Sequence, residues 1–74
     1  MKIGWIADRL NPNFETAIAL LRTRGAQVEL IRPEQQPFDL ATVRVQQDLY
    51  VLKSGTPLGM SLAGTLHTLG AKTL

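Results

Sequence analysis

Cysteine is absent from the 74 residues, histidine occurs once, and aromatic residues make up only 5% of the chain. Without cysteine there is no disulfide and no thiolate metal site, which permits a reducing compartment. The single histidine, His67, gives a metal ion little to hold, and no Ser, Cys or second His accompanies it at triad or metal-pair spacing. It reads as a surface or partly packed side chain. The scarcity of aromatics leaves Arg9, Arg22, Arg24, Arg32 and Arg44 without interleaved stacking platforms, and the net charge is only +2. Nucleic-acid binding is therefore not expected, and these arginines read as solvated surface charge. Long apolar runs are missing too: the start, Met1 to Ala7, holds one lysine and a short apolar stretch, well below a signal-peptide core or a membrane span. The expectation is a soluble, cytoplasmic chain with no membrane partner.

What is present suits a single modest core. Hydrophobic residues make up 45% and charged residues 19%, too apolar for a disordered chain. A chain of this size buries roughly 60% of its unfolded surface, so its stability is expected to be small. Residues 1–74 show no internal repeat, low-complexity tract or linker, and read as one domain.

The run KIGWIA at Lys2–Ala7, followed by Asp8, Arg9, Leu10, Asn11 and Pro12, has the pattern of a buried strand ending in a loop. Trp5 in its middle is expected in the core, where its indole N–H will want a partner. Phe14, Ala17, Ile18 and Leu21 follow with i, i+3, i+4, i+7 spacing, which predicts an amphipathic helix. Asn11 with Pro12 behind it, or else Asn13, is placed to cap that helix, and Gly25 to stop it. A second strand is predicted at Gln27–Ile31, and Pro33 and Pro37 mark a loop. Between Pro37 and Gln47, the residues Phe38, Leu40, Val43 and Val45 allow a short irregular strand.

Asp48–Lys53 (DLYVLK) predicts a third strand, and Ser54–Pro57 a turn in which Thr56 caps a helix with Pro57 in its first position. That helix, Pro57–Leu69, sets Leu58, Leu62, Leu66 and Leu69 along one stripe, with Gly59, Ala63 and Gly70 forming a small-residue side open to close approach. Gly70 is expected to end it, and Ala71–Leu74 reads as the beginning of another strand. The whole is predicted to be a small Rossmann-like α/β unit, β-α-β-β-α, with a parallel sheet in the order 2-1-3-4.

In such a sheet ligands bind beyond the carboxyl ends of the strands, so the loops Asp8–Asn11 and Lys53–Thr56 are expected to share one edge. The candidate substrate or anion-binding residues are Asp8, Arg9, Asn11, Lys53, Ser54, Gly55 and Thr56. A helix N-terminus offers unpaired N–H groups and a positive dipole end, to which Lys53, Ser54 and Thr56 would add donors. The simpler reading is that Thr56 caps the helix, Gly55 permits the turn, and Asp8 and Arg9 form a turn or an exposed ion pair. Neither a Walker motif nor a GxGxxG fingerprint is present. No residue is assigned to catalysis or to metal binding.

Taken together, MKIGWIAD (Met1–Asp8), DLYVLKSGTPLGMSLAGTLHTLGA (Asp48–Ala71) and the ending GAKTL (Gly70–Leu74) resemble the N-terminal, pre-ATP-grasp domain of RimK-like ATP-grasp ligases. The specific part lies in residues 48–74, and Gln47 stands where the family string has histidine. The resemblance implies a domain that forms one wall of a substrate site, while later domains hold ATP and magnesium. It also implies a reaction joining a carboxylate to an amine or related nucleophile through an acyl phosphate. None of the ATP-gripping lysines or magnesium-holding acids of the later domains maps onto these positions, so the chain holds no cofactor itself and is expected to be no ligase alone. On this reading it is a fragment or truncated form whose partners are the remaining ATP-grasp domains. The competing expectations are a free-standing module that dimerises through an exposed sheet edge or helix face, and a small anion-binding domain built on KSGTP.

Overall fold

The computed structural model describes residues 1–35 and 43–74, and in them the chain forms β1 (Lys2–Ala7), α1 (Pro12–Thr23), β2 (Gln27–Ile31), β3 (Leu49–Lys53) and α2 (Pro57–Thr68). The three strands make one parallel sheet in the order β2-β1-β3. The central strand is the most apolar, as a strand paired on both edges and covered on both faces requires: every residue from Ile3 to Ala7 is buried. The register sets Trp5 beside Leu30 on one side and Val51 on the other, and ends with Ala7 opposite Lys53.

Strand alternation divides the core into two halves. Ile3, Trp5, Ala7 and Val51 join Ile18 of α1 on one face, with Phe14, Leu21, Val28 and Leu30 packed around them. Phe14 meets the Trp5 ring edge-on, with centroids 5.6 Å apart. Ile6 and Tyr50 join Leu62 and Leu66 of α2, with Ala71, on the other face. The Trp5 indole N–H is buried without a hydrogen-bond partner among the described residues, so the partner expected for it is not supplied there.

Both helices begin and end by local chemistry. Asn11 caps α1, accepting the Phe14 N–H at 2.9 Å with Pro12 in the first turn, which decides between the two predicted caps. Thr56 caps α2 in the same way, accepting the Gly59 N–H at 3.1 Å. Gly25 (φ 97°) and Gly70 (φ 94°) each follow the C-cap residue of a helix, Arg24 and Leu69, in the left-handed conformation that side chains resist. The C-cap of α2 is thus Leu69, one residue before the glycine expected to serve.

Four expectations are corrected. Among the described residues no fourth strand forms: Thr73 makes only an isolated parallel bridge to Tyr50, because Lys72–Leu74 is too short a run for a ladder. The stub still lies beside β3, where Tyr50 and Leu52 donate to the carbonyls of Lys72 and Leu74 and Leu74 donates back to Tyr50. Strand β3 starts at Leu49, since Asp48 turns its side chain to the Lys2 N–H at 2.7 Å. On α2 the buried stripe is Gly59, Leu62, Ala63 and Leu66, while Leu58 and Leu69 are 37% and 52% exposed. Of the small residues expected to permit close approach, Gly59 and Ala63 lie on the sheet-facing side and turn those leucines outward, while Gly70 lies beyond the helix and is exposed. In the segment 37–47, Val43 and Val45 belong to no strand; Phe38 and Leu40 lie outside the described residues.

One close approach explains a glycine in the central strand. A Cβ on Gly4 would stand 2.7 Å from Cδ1 and 2.8 Å from Cε1 of Tyr50, whose ring lies across the strand. The Tyr50 hydroxyl accepts the Gln46 N–H at 3.0 Å, which fixes the ring there.

Candidate functional site

Parallel pairing brings the ends of β1 and β3 level, so the segment after Ala7 and the segment after Lys53 emerge side by side. Asp8 is the first residue past β1, and its carboxylate is the hub of the arrangement. One oxygen, Oδ1, accepts from the hydroxyls of Ser54 and Thr56, the latter at 3.1 Å; the other, Oδ2, accepts the Gly55 N–H at 3.0 Å. Three consecutive residues of the KSGTP loop therefore converge on one side chain from the neighbouring strand. The hydroxyls of Ser54 and Thr56 also lie 3.2 Å apart.

These contacts stabilise the charged carboxylate, and its pKa falls below the ordinary value. The Ser54 hydroxyl is the largest cause, then the Gly55 N–H; the Thr56 hydroxyl and the field of Arg9 add to them, against a partial desolvation that raises it. Asp8 thus stays ionised at neutral pH and occupies donors that an external anion would use.

Of the predicted site residues, Asp8, Ser54, Gly55 and Thr56 come together. Arg9 and Lys53 are exposed at the same edge, and Arg9 reaches the cluster through its charge. Asn11 does not join, because its oxygen is committed to capping α1. At the start of α2, Pro57 has no N–H, Gly59 donates to Thr56, and Gly55 donates to Asp8, so few donors face outward.

Two residues outside the predicted set shape this edge. Gly59 lets the loop cross the first turn of α2: a Cβ there would overlap the Ser54 hydroxyl and stand 2.7 Å from the Ser54 Cβ. The sequence signal was the glycine three residues after the cap. Arg32, just past β2, donates to the Asp8 backbone carbonyl at a long 3.5 Å and brings a third cation to the carboxyl edge; only the parallel order of the sheet could reveal that. Among the described residues, no three of His, Cys, Asp and Glu stand close enough to hold a metal ion, and no helix is long and apolar enough to cross a membrane.

In chemical terms the cluster is a latch between two loops, carrying an ionised acid, two hydroxyls and flanking cations. Comparison with known proteins gives no matching family model and no matching curated protein.

Proposed function

We propose that this chain is the substrate-side domain of an ATP-dependent carboxylate–amine ligase of the ATP-grasp type, not catalytic by itself. The observation that carries the reading is the Asp8 latch. It joins two of the segments on which the resemblance rests, MKIGWIAD and DLYVLKSGTPLGMSLAGTLHTLGA, at the carboxyl edge of a parallel sheet, where open α/β folds bind ligands. A wall of a composite site needs loops held in one position before the other walls arrive, and three hydrogen bonds to one carboxylate provide that. Arg9 and Lys53 stand at the rim, suited to an acidic substrate group. ATP and magnesium would be held by further domains of the enzyme, which are the proposed partners.

A test is to incubate the purified chain with ATP and magnesium, alone and with carboxylate and amine acceptors. No release of ADP or phosphate is expected, and turnover by the pure chain would sink the reading.

The outer surface of α2 favours a second reading, an interaction module. The helix carries no Asp, Glu, Lys or Arg, and Leu58 and Met60 on it and Leu69 at its C-cap are exposed. A surface of this kind suits burial against another body. The third reading, an anion-binding loop, has less support, since Asp8 already takes the Ser54, Gly55 and Thr56 donors.

A further inference from the structure

Strand β2 lies at an edge of the sheet, and its outer groups offer a template for another strand. The Gln27 N–H bonds to the Met1 carbonyl at 2.9 Å, so the polar groups of Gln27 face β1. By the alternation of a ladder, those of Val28 and Leu30 face outward. One of them is already taken: Arg22, in the last turn of α1, donates from Nη2 to the Val28 carbonyl at 2.9 Å. Its guanidinium reaches the edge that an incoming strand would occupy.

The strand most readily offered to this edge is β2 of a second copy. Antiparallel pairing satisfies all the outward groups in the register that sets Val28 against Leu30 of the second copy and Leu30 against its Val28. That register is centred on Glu29 and places two Glu29 residues opposite each other as a close pair, with Cα atoms roughly 4.5 Å apart. Each Glu29 carboxylate accepts from the neutral Gln47 amide at 2.6 Å, which leaves its charge in place, and like charges directly opposite destabilise a pairing. The two Val28 carbonyls needed for the same register are the ones that Arg22 occupies. On the far side of the sheet, Lys72–Leu74 covers β3.

We propose that Arg22 and Glu29 together guard the β2 edge, keeping it from pairing with a second copy of this chain. Arg22 removes an acceptor and obstructs the approach, and Glu29 repels its own image in the one register that would use every remaining group. The inference stands on the edge geometry alone and is independent of the ligase reading.

The test is sedimentation velocity over a concentration series, with amide exchange of Val28 and Leu30 followed by NMR, on wild type and on the Arg22→Ala/Glu29→Gln double variant. The wild type is expected to show no pairing through β2 below about 1 mM, with both amides exchanging at a rate independent of concentration. Freeing two acceptors and removing the repulsion should tighten self-association about 100-fold, with Val28 and Leu30 becoming protected as the dimer forms. A folded double variant that stays monomeric overturns the proposal. So does a dimer without protection at those amides, or a wild type already paired through them. If the double variant does not fold, Arg22→Ala/Glu29→Lys mixed with Arg22→Ala decides: a mixed dimer favoured over either self-dimer supports the guard, and equal association in all three samples overturns it.

Discussion

Replacing Gly4 with alanine should lower stability, although alanine ordinarily suits a strand better than glycine. The added Cβ would lie 2.7 and 2.8 Å from two Tyr50 ring carbons and 3.1 Å from Gln47 Cγ. Carbon atoms prefer roughly 3.5–4.0 Å, so the ring must withdraw by nearly an ångström. Tyr50 is only 3% exposed, and moving it weakens the bond that its hydroxyl accepts from Gln46. Overpacking of this kind costs about 1–3 kcal/mol, and a weakened hydrogen bond adds about 1 kcal/mol. The reduced freedom of the unfolded chain returns about 0.4–1 kcal/mol. The net loss is about 1–3 kcal/mol, or roughly 5–20 °C in Tm for a domain of this length. Thermal and urea unfolding followed by Trp5 fluorescence and circular dichroism would measure it. Tyr50→Leu added to Gly4→Ala should recover part of the loss, since the two positions are in contact. A Gly4→Ala variant as stable as wild type, or more so, would refute the reasoning.

Three further outcomes follow from the same structure. Asp8→Asn should destabilise the fold near neutral pH. Because the folded-state pKa of Asp8 is lowered, its stabilising contribution is fully present above the unfolded value of about 3.9 and is lost as pH falls through the lower folded value. The gap between wild type and variant, read from urea midpoints, should therefore narrow below about pH 4; a gap that stays constant to pH 2.5 would count against the latch. Thr56→Ala should cost more than Asn11→Ala, because each removes a cap worth about 1 kcal/mol while Thr56 also donates to Asp8; equal losses in denaturation would argue that the latch adds nothing. Leu66→Ala, at a side chain 2% exposed, should cost about 2–5 kcal/mol, a large part of the roughly 4–11 kcal/mol available to a chain of this length; a drop below about 1 kcal/mol would mean that α2 is not packed as described.

The sequence carried most of the fold because its signals were local and mutually consistent. Proline after Asn11 and after Thr56 marked both helix starts, and Gly25 and Gly70 marked both ends. The apolar run Ile3–Ala7 identified the central strand. The residues after Ala71 look like a strand by composition, but a ladder depends on how many of them find partners, and Thr73 alone bridges to Tyr50. The stripe Leu58–Leu69 differs from its expected burial for a related reason. Four leucines outweigh a glycine in hydrophobicity, yet Gly59 and Ala63 let α2 approach the sheet, and the leucines at its ends turn away. At the candidate site, the sharing of one edge by Asp8 and Ser54–Thr56 was legible from parallel topology. The direction of the hydrogen bonds was not: sequence spacing offered the loop donors to an external anion, whereas Asp8, 46 residues from Ser54, accepts them.

The most direct test of the proposed function is to isolate the native polypeptide containing this sequence from its source cells, then measure its mass and its magnesium-dependent ATP consumption with mixed carboxylate and amine acceptors. The ligase reading expects a polypeptide several times heavier than 8.1 kDa that releases ADP and phosphate in step with a new amide bond. A native polypeptide of 8.1 kDa, or a longer one that forms no such bond, would contradict it.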